Sequence, residues 1–481
     1  MIRGVNFCKT DDLKGAASLL DTFLACYQKA TKIHDLRCQL HIQGHPLYEA
    51  VEKSLVNEKG VFSFPILEAF FKEEEEALEN WRKEKKRWLE DAPHLKLLSN
   101  SQLLCFLRRL LDLGKVTAKD RETNTRSLEW ERVLGFLVYI FPGCSEENLR
   151  KFAAEYVKSR NYFGRSEQDR LKTSLEDAGG LVRDIKQRDK SAAAVQQWTT
   201  GKCRLYDASL LDAIQLEGLL FSTIFQKTPP KPFQFLQARE DCPTSLDDLN
   251  SFLERCSAHR AYSYAILGVN HLPSACKERL ATVILEESLP FLALVFTGTA
   301  GLEIFTFLQR ENCSVAEESQ IKGDLNSRER MPDMRNFEVF LAVLGKSGDG
   351  KTTMIKKQMA QHTSPATRGQ GQIVCSVNED FKSSFLIKKI QTLTDVYNKV
   401  SIHFNISMFA PLNRVHDILR SWLYSGFLLD EETGDIVRMK AKGDSSLKDK
   451  KDFIWHLYFE IPEKKDKLLS KPVLDYLPLL K

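Results

Sequence analysis

The residues with the clearest chemistry lie at 345–352, where Gly345-Lys-Ser-Gly-Asp-Gly-Lys351-Thr352 fits the pattern G-x-x-x-x-G-K-[ST]. Gly345, Gly348 and Gly350 can take positive φ and let backbone N–H groups close around phosphate oxygens. Lys351 would reach the β- and γ-phosphates, and the Thr352 hydroxyl would ligand Mg²⁺. The candidate binding set is Gly345, Lys346, Ser347, Gly348, Asp349, Gly350, Lys351, Thr352 and Thr353, with ATP and Mg²⁺ as cofactors. Asp349 is the uneasy member. A carboxylate beside phosphate repels it unless it points outward, although Lys346 could offset the charge. At ordinary residue frequencies the bare pattern turns up by chance in roughly one chain in a hundred of this length, so context must support it.

A loop of this kind has to join a strand to a helix, and both are predicted. Residues 337–344 (FEVFLAVL) are a β-rich apolar run entering it, and 353–360 form a helix leaving it. Downstream the pattern predicts strands over 372–377, 400–407 and 454–461, with helices over 380–398 and 413–428. Hydrolysis also needs a Walker B carboxylate at the end of a neighbouring strand. The third strand is its expected place, and there Asn405 stands at the Asp position and Ile406 at the Glu position. An amide can ligand Mg²⁺ weakly but cannot act as a base. Glu460, on the next strand, is the acidic substitute and reads as a structural or sensor-position residue. Asn405 and Glu460 are thus the catalytic candidates. His403 alternates with apolar neighbours and reads as a satisfied, partly buried histidine.

The remaining elements resolve into blocks. Residues 1–226 read as an α-helical arm, with a stripe of Leu13, Ala16, Ala17, Leu20, Leu24 and Tyr27 at helical spacing. Further helices are predicted over 67–89 (heavily charged), 101–113, 128–141 and 146–157. The segment 227–232 (KTPPKP) is a stiff connection. Beyond it, 233–310 alternates β-like runs (262–269, 291–297) with helical ones (275–287, 302–310), as an incomplete α/β unit with a parallel sheet would. A polar loop at 311–336 precedes the P-loop unit at 337–481.

Composition bounds the function. With 481 residues the chain should hold about three domains. Its 69 Lys+Arg against 65 Asp+Glu leave a net charge of +4, which argues against a dominant nucleic-acid footprint. The hydrophobic share, 43%, is ample for cores and excludes global disorder. No apolar run approaches the ~18 residues of a membrane helix, and the N-terminus has no signal-peptide pattern. The 11 cysteines, never closer than 12 residues, suggest reduced thiols and no zinc finger or RING within the sequence.

These stretches taken in order resemble mysterin, the giant RING-finger ubiquitin ligase family with a dynein-like AAA+ core. The matching segments are GKSGDGKTTMIKKQM (345–359), VSIHFNISMFAPLNRVHDILRSWLYSGFLLDEETGDI (400–436) and HLYFEIP (456–462). Upstream, 76–111, 243–256 and 262–287 are similar to segments that precede or lead into the AAA+ core there. Apart from the P-loop the motifs are diffuse, and their succession carries the resemblance. It implies a mixed fold: an N-terminal all-α scaffold followed by an α/β P-loop NTPase of the AAA+ class with a parallel sheet. It also implies neighbouring AAA+ units of one larger protein as partners, and a cytoplasmic setting with lipid-droplet association. Gly345, Gly350, Lys351 and Thr352 carry over as ATP and Mg²⁺ contacts. An AAA+ module continues into an arginine finger and a helical lid, whereas this sequence stops at Lys481. The P-loop unit is therefore expected to be cut before its lid, and contact with a ubiquitin-conjugating enzyme to run through regions absent here.

The expected function is ATP binding in a mysterin-like E3 ubiquitin ligase, the nucleotide being structural or regulatory with weak or no hydrolysis. The alternatives are a STAND-type nucleotide switch and a non-enzymatic helical adaptor with a vestigial P-loop.

Overall fold

The computed structural model describes residues 13–43, 64–115, 128–142, 144–159, 167–188, 203–208, 233–240, 243–259, 263–286, 292–297, 302–310, 313–315, 337–346, 348–362, 370–394, 399–407, 409–430, 433–438 and 454–462, with single positions 45, 216, 289, 397 and 477. Among them are 12 α-helices and three sheets. The proline-rich segment at 227–232, most of the polar loop and Ser347 lie outside the described residues.

Six helices form the scaffold: α1 (Leu13–Ile42), α2 (Phe64–Asp91), α3 (Asn100–Lys115), α4 (Leu128–Ile140), α5 (Glu146–Ser159) and α6 (Glu167–Arg188). Helix α2 is charged along most of its length, yet Leu78, Trp81 and Trp88 recur on one side and are buried. Around them Phe106 of α3 and Phe136 of α4 meet with ring centroids 5.3 Å apart. The predicted stripe on α1 behaves differently. The helix forms, but Leu20, Leu24 and Tyr27 are exposed, and it is Ile33 and Leu40 that enter the core.

The middle unit is a five-stranded, all-parallel sheet in the order β2-β3-β4-β1-β5. Its strands are β1 (Arg204–Asp207), β2 (Phe233–Gln237), β3 (Ser263–Leu267), β4 (Leu292–Phe296) and β5 (Ser314–Val315). Helices α7 (Leu246–Ala258), α8 (Ser274–Glu286) and α9 (Leu302–Arg310) accompany them. Strand β4 is buried along its whole length, as expected of a continuous apolar run inside a parallel sheet. Two predicted boundaries give way here. Strand β1 falls within the block expected to be all helix, and β5 within the expected loop. Both are short and join the sheet by pairing with strands distant in sequence (Arg204 with Ala293 and with Ser314).

The P-loop unit has four parallel strands in the order β6-β11-β8-β7. They are β6 (Phe337–Gly345), β7 (Gln370–Val377), β8 (Lys399–Ile406) and β11 (Ile454–Pro462), with helices α10 (Lys351–His362), α11 (Ser383–Thr394) and α12 (Leu412–Arg420). One sheet face packs Ile402, Phe404, Leu457 and Phe459 against α11 and α12. On the other face Ile355 and Met359 of α10 cover Tyr458. The predicted helix over 413–428 stops sooner. It ends at Arg420, and a one-turn π-helix (Ser421–Ser425) closes at Gly426, whose φ of 74° is left-handed. The chain then forms a hairpin, β9 (Phe427–Leu429) and β10 (Ile436–Arg438).

That hairpin packs into two cores at once, with Leu428 and Val437 in the core of the P-loop unit and its other face against the scaffold. Phe427 and Ile436 lie in the helical core, and Arg109 and Glu146 of the scaffold pair with Asp435 and Arg438. Gly135 of α4 makes the approach possible, since a Cβ there would stand 2.4 Å from the Ile436 carbonyl oxygen. The middle unit is tied in as well. Arg255 donates to the Leu97 carbonyl (2.6 Å), and Arg420 donates to the Gln237 side-chain oxygen (2.8 Å).

Candidate functional site

The carboxyl ends of β6, β11 and β8 converge where open parallel sheets bind ligands. From β6 the chain turns through 346–350 into α10, so strand, glycine loop and helix follow in the predicted order. Gly348 and Gly350 have φ of 94° and 74°, with no heavy atom within 4 Å of where a Cβ would stand. Backbone shape, not crowding, requires glycine at both. Gly345 is different: a Cβ there would meet Asp349 Oδ2 at 3.0 Å and Lys351 Cδ at 3.4 Å, so the absent side chain leaves room for those two.

The loop's polar groups are engaged with one another. Lys351 is buried, and its Nζ donates to the carbonyls of Gly345 (2.9 Å) and Lys346 (2.6 Å). Asp349 is exposed, yet its carboxylate engages the loop backbone and not the Lys346 side chain. Its Oδ2 accepts the Lys346 backbone N–H at 2.6 Å. Lys346 and Thr353 are exposed.

Thr352 faces β11. Its hydroxyl donates to the Glu460 carboxylate, 2.9 Å from Oε1 and 2.8 Å from Oε2. Glu460 also meets His403 of β8, whose Nε2 lies 3.1 Å from Oε2. The His403 side chain is 1% exposed and that of Glu460 12%. Burial depresses the His403 pKa below its ordinary value, and the nearby Glu460 offsets this only in part. The imidazole is therefore neutral near pH 7, with Nε2–H donating to the carboxylate and Nδ1 buried without a partner. The expectation of a buried histidine holds in position, but only one of its two nitrogens is satisfied.

The two catalytic candidates separate. Asn405 lies beside Glu460 in the β8–β11 register but is exposed, and no hydrogen bond links it to Thr352. Glu460 occupies the place next to the P-loop threonine that the sequence assigned to the third strand. The reason is strand order: β11, the last strand in sequence, inserts between β6 and β8. The available signal was a carboxylate near the end of a mostly apolar strand.

Chemically, the loop with Lys351 could hold an anion, and Thr352 with Glu460 could hold a hard cation. Mg²⁺ is commonly held by one or two protein oxygens together with substrate phosphates and water, and Thr352 with Glu460 is such a set. Among the described residues no cluster of three or more His, Cys, Asp or Glu comes together, and no helix is long and apolar enough to cross a membrane. Nine described cysteines form no disulfide. No protein-family model matches the sequence, and a search of curated proteins returns no match.

Proposed function

We propose that this chain is the ATP-binding AAA+ segment of a mysterin-like ubiquitin ligase, in which nucleotide and Mg²⁺ act chiefly as structural or regulatory ligands. The observation that carries the reading is the placement of Lys351 and Thr352 in the first turn of α10, opposite Glu460. Lys351, Thr352 and the loop amides would hold phosphate, and Thr352 with Glu460 would hold the metal. Bound Mg²⁺ would neutralise charge on the β- and γ-phosphates.

The same geometry favours weak turnover. Glu460 is held from one side by the Thr352 hydroxyl and from the other by His403, so one carboxylate cannot both hold a metal and take a proton from water. Asn405 carries no carboxylate, and its amide takes no proton at neutral pH. The family part of the proposal is supported by the ordered sequence resemblance together with a helical scaffold, an α/β unit and a P-loop unit in succession. Neighbouring AAA+ units as partners, and a cytoplasmic, lipid-droplet-associated setting, belong to the same proposal.

Calorimetric titration with ATP and Mg²⁺ tests the binding. Saturable binding that Lys351→Ala abolishes is expected, and its absence overturns the reading. Equal melting temperatures with and without ATP would favour the helical adaptor, because a ligand of the native state must raise stability. Further P-loops and a Cys/His-rich region in a longer reading frame would bear on the family.

A further inference from the structure

We propose that Asp349 is an intramolecular competitor for nucleotide phosphate, an internal anion that the incoming phosphates must displace. The inference rests on the nucleotide reading and concerns regulation of that same site. The backbone N–H groups of a glycine loop bind phosphate because each is a donor aimed into a concave turn. In this loop the Lys346 N–H is already committed, to Asp349 Oδ2 at 2.6 Å. The carboxylate lies back over the end of β6, 3.0 Å from where a Cβ on Gly345 would be. It therefore sits on the strand side of the loop, toward Lys351.

A carboxylate oxygen and a phosphoryl oxygen are the same kind of acceptor for an N–H, and both bonds are charge-assisted. One amide cannot serve both in good geometry. A carboxylate left in place would also face the phosphates at close range, where like charges repel. Loading then requires Asp349 to leave Lys346. The loop is built to allow this, since Gly348 and Gly350 flank Asp349 with open space where side chains would otherwise be. The Lys351 ammonium, now on the Gly345 and Lys346 carbonyls, must be redirected in the same event. The loop is thus satisfied by its own groups, and affinity is set by the cost of exchanging them.

The experiment compares wild type, Asp349→Ser and Asp349→Asn by titration with ATP/Mg²⁺ and with inorganic pyrophosphate, which has no base or sugar. Hydrogen exchange at the Lys346 amide of the unliganded proteins is followed in parallel. Asp349 is exposed, so these replacements should leave the fold intact. Asp349→Ser should bind both ligands about tenfold tighter, and its Lys346 amide should exchange about tenfold faster, with Asp349→Asn between it and wild type. The proposal is overturned if affinity is unchanged or weaker while Lys351→Ala still abolishes binding. It is overturned equally if only ATP binding improves, or if the Lys346 amide exchanges alike in all three. Absence of binding by every variant removes the nucleotide reading, and this inference with it.

Discussion

Thr352 of α10 donates its hydroxyl to Glu460 of β11, 108 positions later in the chain, at 2.8–2.9 Å. The contact joins the first turn of the P-loop helix to the strand that pairs with β6. His403 fixes the carboxylate from the β8 side. The Glu460 carboxylate is thereby held by three elements, only one of which contains the motif.

Glu460→Gln should remove the Mg²⁺-dependent part of ATP binding and leave the Mg²⁺-independent part. An amide keeps the hydrogen bond from Thr352 but gives up the charge that a hard cation needs. A loss of about tenfold or more in affinity with Mg²⁺, and little change in EDTA, is expected from titration. Rapid turnover in wild type that this variant abolishes would instead identify Glu460 as the catalytic base.

His403→Asn should act through Glu460, as a positioning residue. We expect about a tenfold loss in the Mg²⁺-dependent affinity, comparable to losing a group that orients a metal ligand. Titrations across pH 5–8 check it: any pH dependence that arises from His403 should vanish in the variant while Lys351-dependent binding persists.

Gly135→Ala should destabilise the protein although alanine is the better helix former. The intrinsic gain of about 0.5–1 kcal/mol in a helix is set against a Cβ placed 2.4 Å from the backbone of Ile436. Backbone cannot yield as a flexible side chain would, so a net loss of roughly 1–3 kcal/mol is expected. Denaturant unfolding measures it, and faster proteolysis in the β9–β10 hairpin would show where the strain is released.

Acid should weaken the scaffold before it weakens carboxylate pairs. Burial lowers the pKa of His45, His94 and His259 from 6.5 to about 4. Between those values the unfolded chain takes up protons that the native chain refuses, so stability rises with pH in that window and is lost as pH falls through it. Allowing for partial exposure, the loss is of order 2 kcal/mol per histidine. Urea unfolding at pH 7 and pH 5 checks it, and equal stabilities would refute it. His259 adjoins His94 electrostatically, so replacing either should flatten the profile by more than its own share.

Local codes made much of this molecule legible. Residues 337–344 alternate and branch as a strand does, and the glycines at 348 and 350 supply the left-handed φ that the turn into α10 requires. The helices at 64–91, 128–140 and 146–159 follow from apolar residues at helical spacing. The stripe at Leu20, Leu24 and Tyr27 shows where periodicity stops being informative. It forecasts a helix, not what the helix will face.

The sequence by itself therefore determined the phosphate loop, its strand and helix, and the lack of an acid at the end of β8. Each of these depends on neighbours a few residues apart. Only the tertiary structure decided that β11 lies between β6 and β8, and that Glu460 and not Asn405 meets Thr352. It also decided that β1 enters the middle sheet and that the β9–β10 hairpin packs between the scaffold core and the P-loop core. Strand order and inter-unit packing join residues 57 to 326 positions apart. They are selected by how whole faces bury their apolar surface, and no local pattern encodes that choice.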